Sequence, residues 1–173
     1  MKKYCKYLVL IVLLCFVSCE EKAPKETNSI SKSDMKLSME TANRYLVNEE
    51  EEDIENYMKR HGLDMVSTGT GLRYQILKRN SDVRIEKGEE VTLEYELHSV
   101  AGDLLYSSEK DGLKSFVVGN GEVESGLDEA MTYLHRGDIA KLIIPNHLAY
   151  GLHGDEDQIP EYATLVYTIK VLE

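Results

Sequence analysis

The sequence predicts an α+β protein in which one sheet wraps a single short helix, with a helical extension ahead of it. Three observations carry this. After Gly62 the hydrophobic period changes from helical to alternating. Five strand-like runs follow, each set off by turn residues. One helical run, Leu127 to Leu134, interrupts them, with Leu127, Met131 and Leu134 on a common face. At 173 residues the chain is long enough for one domain with a real core and a short extension.

The chain opens on the basic stretch Met1-Lys2-Lys3-Tyr4-Cys5-Lys6, followed by nearly uninterrupted apolar residues from Tyr7 to Val17. That is the layout of an export signal. A spanning helix needs ~20 apolar residues, and this run stops sooner, in Ser18-Cys19-Glu20-Glu21. Phe16-Val17-Ser18-Cys19 resembles a bacterial lipoprotein box, with Phe16 where Leu is usual. The resemblance implies that residues 1–18 are a lipoprotein signal peptide and that Cys19 is the lipidation site. Acyl chains at ~0.8 kcal/mol per buried methylene then anchor the protein to a membrane without a spanning helix. The expected location is a bacterial envelope membrane, at its periplasmic face or at the cell surface. Cleavage removes Lys2, Lys3 and Lys6 and no acid, so the net charge of −11 becomes −14.

Residues 19–33 are Lys, Glu, Pro, Ser, Thr and Asn with few apolar side chains, which burial cannot order, and they read as a flexible tether. Residues 34–62 read as a helical extension. Met39, Ala42, Leu46, Ile54, Tyr57 and Met58 recur at three- and four-residue steps. Asn48 followed by Glu49-Glu50-Glu51-Glu52 has the form of an N-cap with a solvated acidic first turn, and Lys59-Arg60-His61 precede the stop signal Gly62. The pattern fits one long helix or two meeting near Asn48.

Beyond Gly62, Leu72 to Leu77 and Val91 to Leu97 alternate; Phe116 to Val118, Ile139 to Ile144 and Thr164 to Val171 complete the strands. Lys87-Gly88, Ala101-Gly102-Asp103, Gly119-Asn120-Gly121 and Arg136-Gly137-Asp138 mark turns between them.

Charge and composition exclude several functions. An excess of 31 acids over 20 bases opposes polyphosphate, so nucleic acid is not an expected partner. All three cysteines lie within the first 19 residues, which removes disulfides, thiolate metal sites and cysteine nucleophiles from the domain. No Gly-x-Ser-x-Gly turn is present, and His61, His98, His135, His147 and His153 lack metal-ligand spacing. Asp155-Glu156-Asp157 reads as a solvated loop. Neither a metal nor a cofactor is expected. What stands out is a set of apolar and tyrosyl residues at loop edges: Tyr95, Phe116, Val123, Leu127, Tyr150, Ile159 and Tyr167. Taken singly, each would be core packing.

Their neighbours change that reading. Tyr106-Ser107-Ser108, Gly126-Leu127-Asp128-Glu129-Ala130, Arg136-Gly137-Asp138, Leu148-Ala149-Tyr150-Gly151 and Ile159-Pro160 through Tyr167 occur in one order. With those spacings, residues 71–173 resemble the FKBP-type peptidyl-prolyl cis-trans isomerases. A signal, a lipid-box cysteine and an acidic helical segment ahead of such a domain are similar in layout to the gliding-motility-associated isomerase lipoproteins of Bacteroidetes. The resemblance implies a five-stranded antiparallel half-barrel around one short helix. It implies catalytic roles for Tyr95, Phe116, Tyr150, Ile159 and Tyr167, with a backbone donor at Ile159 and a hydroxyl donor at Tyr150. Leu105, Tyr106, Val123, Glu124 and Leu127 would line the substrate pocket, Leu127 as its floor. Tyr106 stands where the family usually has an acid, Leu127 where Trp is common, Leu105 where Phe is common, and Glu124 where Ile is frequent, putting charge at the rim. The implied partners are proline-containing polypeptides, the implied activity is prolyl isomerisation during folding of exported proteins, and the helices offer a surface for a homodimer. The alternative is a chaperone or binding module, or a structural part of an envelope machine, with little turnover.

Overall fold

A computed structural model describes residues 31–172. The chain divides into two units, residues 1–39 and 40–173. Of the first, only the beginning of a helix is described. The signal at 1–18, Cys19 and nearly all of the tether lie outside the described residues.

One continuous helix, α1, runs from Lys32 to His61, so Lys32 and Ser33 are helical rather than tether. Its cap is Ser31, whose Oγ accepts the Ser33 N–H at 3.3 Å. Asn48 is not a cap. No Gly or Pro falls between residues 32 and 61, so nothing breaks the backbone there. The helix stops at Gly62, with φ +62°, where the Leu63 N–H reaches back to the Met58 carbonyl at 3.0 Å.

Seven strands follow: β1 (Val66–Ser67), β2 (Arg73–Lys78), β3 (Glu90–Ser99), β4 (Leu104–Ser107), β5 (Lys114–Val117), β6 (Ile139–Ile144) and β7 (Leu165–Val171). All pair antiparallel in the order β1-β2-β6-β7-β3-β4, and β5 also pairs with β3. The expected count of five omits β1 and β4. β1 has too few residues to show a pattern, and β4, Leu104-Leu105-Tyr106-Ser107, does not alternate between apolar and polar residues. Two short helices, α2 (Ser108–Asp111) and α3 (Ser125–Met131), complete the domain. The helix expected over Leu127–Leu134 thus begins and ends earlier, and Leu134 is buried beyond its end.

Alternation along β6 and β7 sorts side chains onto two faces. Ala140, Leu142, Ile144, Leu165, Tyr167 and Ile169 join Leu127, Ala130 and Met131 of α3 in the main core. Gly126 lets α3 sit this close: a Cβ there would lie 2.3 Å from Ile144 Cγ2. On the other face, Ile143 and Val166 pack with Ile54 and Tyr57 of α1 in a second core. The acidic run is therefore not a solvated first turn. Glu51 pairs with Arg73 of β2, and Glu50 bonds to Asn146 and Thr164.

Ile54→Ala should open a cavity in this second core and cost about 3 kcal/mol of stability by urea denaturation. A loss below about 1 kcal/mol would show that α1 is not fixed by that contact.

Candidate active site

At the edge of the main core a cleft of about 300 Å³ lies between β3, β4, the start of β5 and the loop after β6. Its back wall is Tyr95 and Leu97, two same-face residues of β3. On the edge away from β7, β3 has no strand partner at Glu94 and Tyr95, because β4 pairs with Glu96–His98 and β5 with Glu90–Leu93. Ser108 fills the gap: its Oγ accepts the Tyr95 N–H at 3.1 Å and donates to the Tyr95 carbonyl at 3.3 Å. The next turn puts Asp111 at the cleft, where it caps the Ser107 N–H at 2.8 Å.

The near wall is Lys114, not Phe116. Both lie on one face of β5, two residues apart, but Phe116 faces Val91 and is only 2% exposed, inside the closed core. The Lys114 Nζ lies 5.5 Å from the Tyr95 ring centre and 5.7 Å from that of Tyr167, within cation–π range. It donates to the Tyr167 hydroxyl at 3.3 Å and stands 3.7 Å from Glu124 Oε2. Tyr167 in turn donates to Glu124 Oε1.

The Glu124 side chain is 2% exposed, so it is not a rim charge. It is a buried acid satisfied by one phenol and one ammonium. Burial, and then the Glu124 charge, push the Tyr167 hydroxyl well above its usual range. Burial, with Asp111 and Glu124 behind it, also raises Tyr95. Leu127 is fully buried beneath this layer, a sealed floor and not an open one. Leu105 and Val123 are partly buried against the core and do not line the cleft.

The outer rim comes from the loop between β6 and β7. Tyr150 lines the cleft, 36% exposed, and among the described residues its hydroxyl has no hydrogen-bond partner. Burial, helped by Glu124, Asp155 and Tyr95, raises that hydroxyl to about 12, so it keeps its proton. Asp155, expected in a solvated loop, organises the rim. Its Oδ1 accepts the Ile159 N–H at 2.7 Å and the Asp157 N–H at 3.0 Å, and its Oδ2 accepts the Tyr106 hydroxyl at 2.5 Å. Burial alone would raise the Asp155 carboxyl, but these bonds outweigh it and hold it below its usual value. The bond to Asp155 raises Tyr106 correspondingly. Two consequences follow. The Ile159 N–H is already engaged, and Tyr106 takes the place of an acid by holding one. Gly154 permits this fold of the loop, because a Cβ there would lie 2.0 Å from the Ile159 carbonyl oxygen.

Of the residues singled out in the sequence, Tyr95, Tyr106 and Tyr150 line the cleft together. Tyr167 and Glu124 stand behind Lys114, Ile159 is buried at the rim, and Phe116 and Leu127 belong to the core. Leu97, Asp111, Lys114 and Asp155 were missed. Two of these had a signal in spacing, since Leu97 is two residues from Tyr95 and Lys114 two from Phe116. Among the described residues no His, Asp or Glu cluster could hold a metal ion.

Comparison with known proteins finds relatives of this chain. The family model for FKBP-type peptidyl-prolyl cis-trans isomerases matches residues 81–172. A probable FKBP-type peptidyl-prolyl cis-trans isomerase, FkpA of Neisseria meningitidis, is 33% identical over 107 residues, covering 62% of this chain and 39% of that one. An FK506-binding protein of the same organism is 31% identical over 104 residues, covering 60% of this chain and 95% of that one. The chain thus spans well under half of the first relative and nearly all of the second. The crystal structure of AtFKBP13 matches with a TM-score of 0.60 at 24% identity, over 64% of this chain and 98% of that one, and shows the shared fold.

Removing the ammonium should strand the buried carboxylate: Lys114→Met should cost about 3 kcal/mol in chemical denaturation. Adding Glu124→Ile and Tyr167→Phe together should restore stability to within about 1 kcal/mol of the parent, because the buried polar cluster is then replaced whole by apolar groups and no hydroxyl is left unpaired. Equal stability of parent and Lys114→Met would show that the pair is not coupled.

Proposed function

The chain belongs to the FKBP-type peptidyl-prolyl cis-trans isomerase family, and we propose that it isomerises prolyl bonds in exported polypeptides while lipid-anchored through Cys19 to a bacterial envelope membrane. The observation that carries the activity is the cleft walled by Tyr95, backed by Tyr167 and edged by the free hydroxyl of Tyr150. The sequence of residues 1–19 supports the anchor, and among the described residues no helix is long and apolar enough to cross a membrane.

Rotation about an Xaa–Pro bond crosses a barrier of ~18–20 kcal/mol that arises from amide resonance. A site lowers it by disfavouring the planar, charge-separated form relative to the twisted one. The buried faces of Tyr95 and Leu97 do this by stripping water from the imide while gripping the proline ring. The ring packs against Tyr95 as the Lys114 ammonium withdraws from that face towards Glu124. The Tyr150 hydroxyl donates to the flanking carbonyl. The Ile159 N–H becomes a second donor when the substrate carbonyl displaces Asp155, which the Tyr106 hydroxyl retains nearby. No nucleophile or cofactor enters the reaction.

A second reading, a prolyl-binding module with little turnover, draws support from the prior engagement of Ile159 and the cover of Lys114 over the rings. Homodimerisation through α1 is proposed on Met35, Met39 and Leu46, exposed apolar residues at helical spacing.

The test is isomerisation of a Leu-Pro tetrapeptide by the full-length chain. Tyr95→Ala should lower kcat/KM roughly 10-fold or more, by loosening the grip on the ring. Tyr150→Phe should lower it about 3- to 10-fold, the value of one hydrogen bond. Tyr150 ionises in the unfolded chain near 10 and in the folded one at about 12. Its stabilising contribution is therefore whole below about pH 10 and is lost as pH rises towards about 12. The ratio of parent to Tyr150→Phe rates should stay constant between about pH 6 and pH 9. A folded protein that binds the peptide without accelerating isomerisation would establish the binding module instead.

A further inference from the structure

The rim residues Tyr150, Asp155 and Ile159 ride on a loop, residues 149–163, that has to be held at both ends to keep them over the cleft. Asn146, in the 3-10 turn Asn146–Leu148, leads into it. Thr164 closes it at the edge of β7. Both ends meet one carboxylate, Glu50 of α1, which lies outside the region that the family model matches.

Glu50 Oε1 accepts the Asn146 backbone N–H at 2.6 Å and the Thr164 hydroxyl at 2.6 Å. Its Oε2 accepts the Asn146 side-chain amide at 2.8 Å. Hydrogen bonds to an ionised acceptor are short and roughly twice as strong as neutral ones. Thr164 is buried and Glu50 half-buried, so water competes poorly. Within the loop the hold is passed on. The Gly151 N–H donates to the Asn146 carbonyl at 2.9 Å, and the Tyr162 N–H donates to the Gly151 carbonyl at 2.9 Å. Tyr150 is therefore braced between the two limbs, and Tyr162 is kept at φ +58°, a conformation uncommon for an aromatic residue. The carboxylate itself is fixed from the other side by Ile54 and Tyr57 in the second core and by the Glu51–Arg73 pair.

We propose that Glu50 is a positioning residue for the isomerase site, a clamp by which α1 sets the stiffness of the loop that bears Tyr150 and Ile159. Glu50 does not line the cleft and does not touch substrate. The proposal rests on the isomerase reading above and deepens it, giving the helical extension a part in turnover. Such a clamp acts through the loop's fluctuations, so its loss appears first in local opening and then in rate.

The experiment compares the full-length chain with Glu50→Ala, Glu50→Gln and Thr164→Val, with Glu52→Ala as an exposed control on the same helix. Amide hydrogen exchange of residues 147–163 is read alongside kcat and KM on a Leu-Pro tetrapeptide. Glu50→Ala should speed exchange in that segment on the order of 10-fold while the sheet keeps its protection. It should lower kcat/KM by a similar factor, since a small misplacement of a positioned group is costly. Glu50→Gln retains an acceptor oxygen, and Asn146 can turn its own amide oxygen towards the new N–H, so this variant should stay within about 3-fold of the parent. Thr164→Val removes one bond and should give a partial effect. Unchanged loop exchange and turnover in Glu50→Ala would overturn the proposal. If Glu50→Ala instead loses protection throughout, Thr164→Val decides, and unaltered loop exchange there overturns it. A parent chain without turnover defeats the isomerase reading, whereas loop exchange still decides whether Glu50 holds the loop.

Discussion

A sheet of seven strands has to bury its concave face on α3, a helix of only seven residues. The mismatch shapes the rest of the domain. Gly126 brings the helix hard against Ile144, and Leu127, Ala130 and Met131 fill the space above β6 and β7. The helix does not reach across to the split between β4 and β5, where Ser108 has to supply the hydrogen bonds that a continuous strand would. The cleft is what this shortfall leaves. It has aromatic walls because β3 and β7 continue their inward alternation beyond the residues that α3 covers.

Charge within the cleft is handled by pairing, not by exposure. The Glu124 side chain is buried, and of the two groups that satisfy it Lys114 lines the cleft while the Tyr167 hydroxyl stands behind it. A buried pair of this kind adds little net stability but is costly to break on one side. It therefore fixes where Lys114 lies and how much of Tyr95 is covered. Asp155 plays the same part at the rim, tying Tyr106 to the loop through one carboxylate.

The long runs of β3, β6 and β7 were legible in the sequence because β3 alternates along its length and β6 and β7 are largely apolar runs, buried on both faces and set off by turn residues. β4 was not, since Leu104-Leu105-Tyr106-Ser107 shows no apolar–polar alternation, and neither was the continuity of α1 through Asn48. There the cap chemistry of Asn48 and four acids competed with an unbroken run of helix-tolerant residues, and tertiary docking of Glu50 and Glu51 decided the outcome. At the site, Tyr95, Tyr106 and Tyr150 were found from their neighbours. Lys114 was missed because a lysine two residues before a phenylalanine reads as solvent-facing unless a buried acid awaits it. Glu124 was assigned to the rim for the converse reason: its partners lie 10 and 43 positions away in the chain.

α1 joins these features by packing on the outer face of the same sheet and reaching both ends of the rim loop with one side chain. Whether the cleft turns prolyl bonds over is tested most directly by exchange NMR on a Leu-Pro peptide at equilibrium, with the full-length protein at catalytic concentration. Cross-peaks linking the cis and trans proline resonances, absent from the peptide alone and lost on adding Tyr95→Ala protein instead, are the predicted result. A folded parent protein that shifts the peptide resonances without producing those cross-peaks would contradict catalysis and leave a cleft that binds.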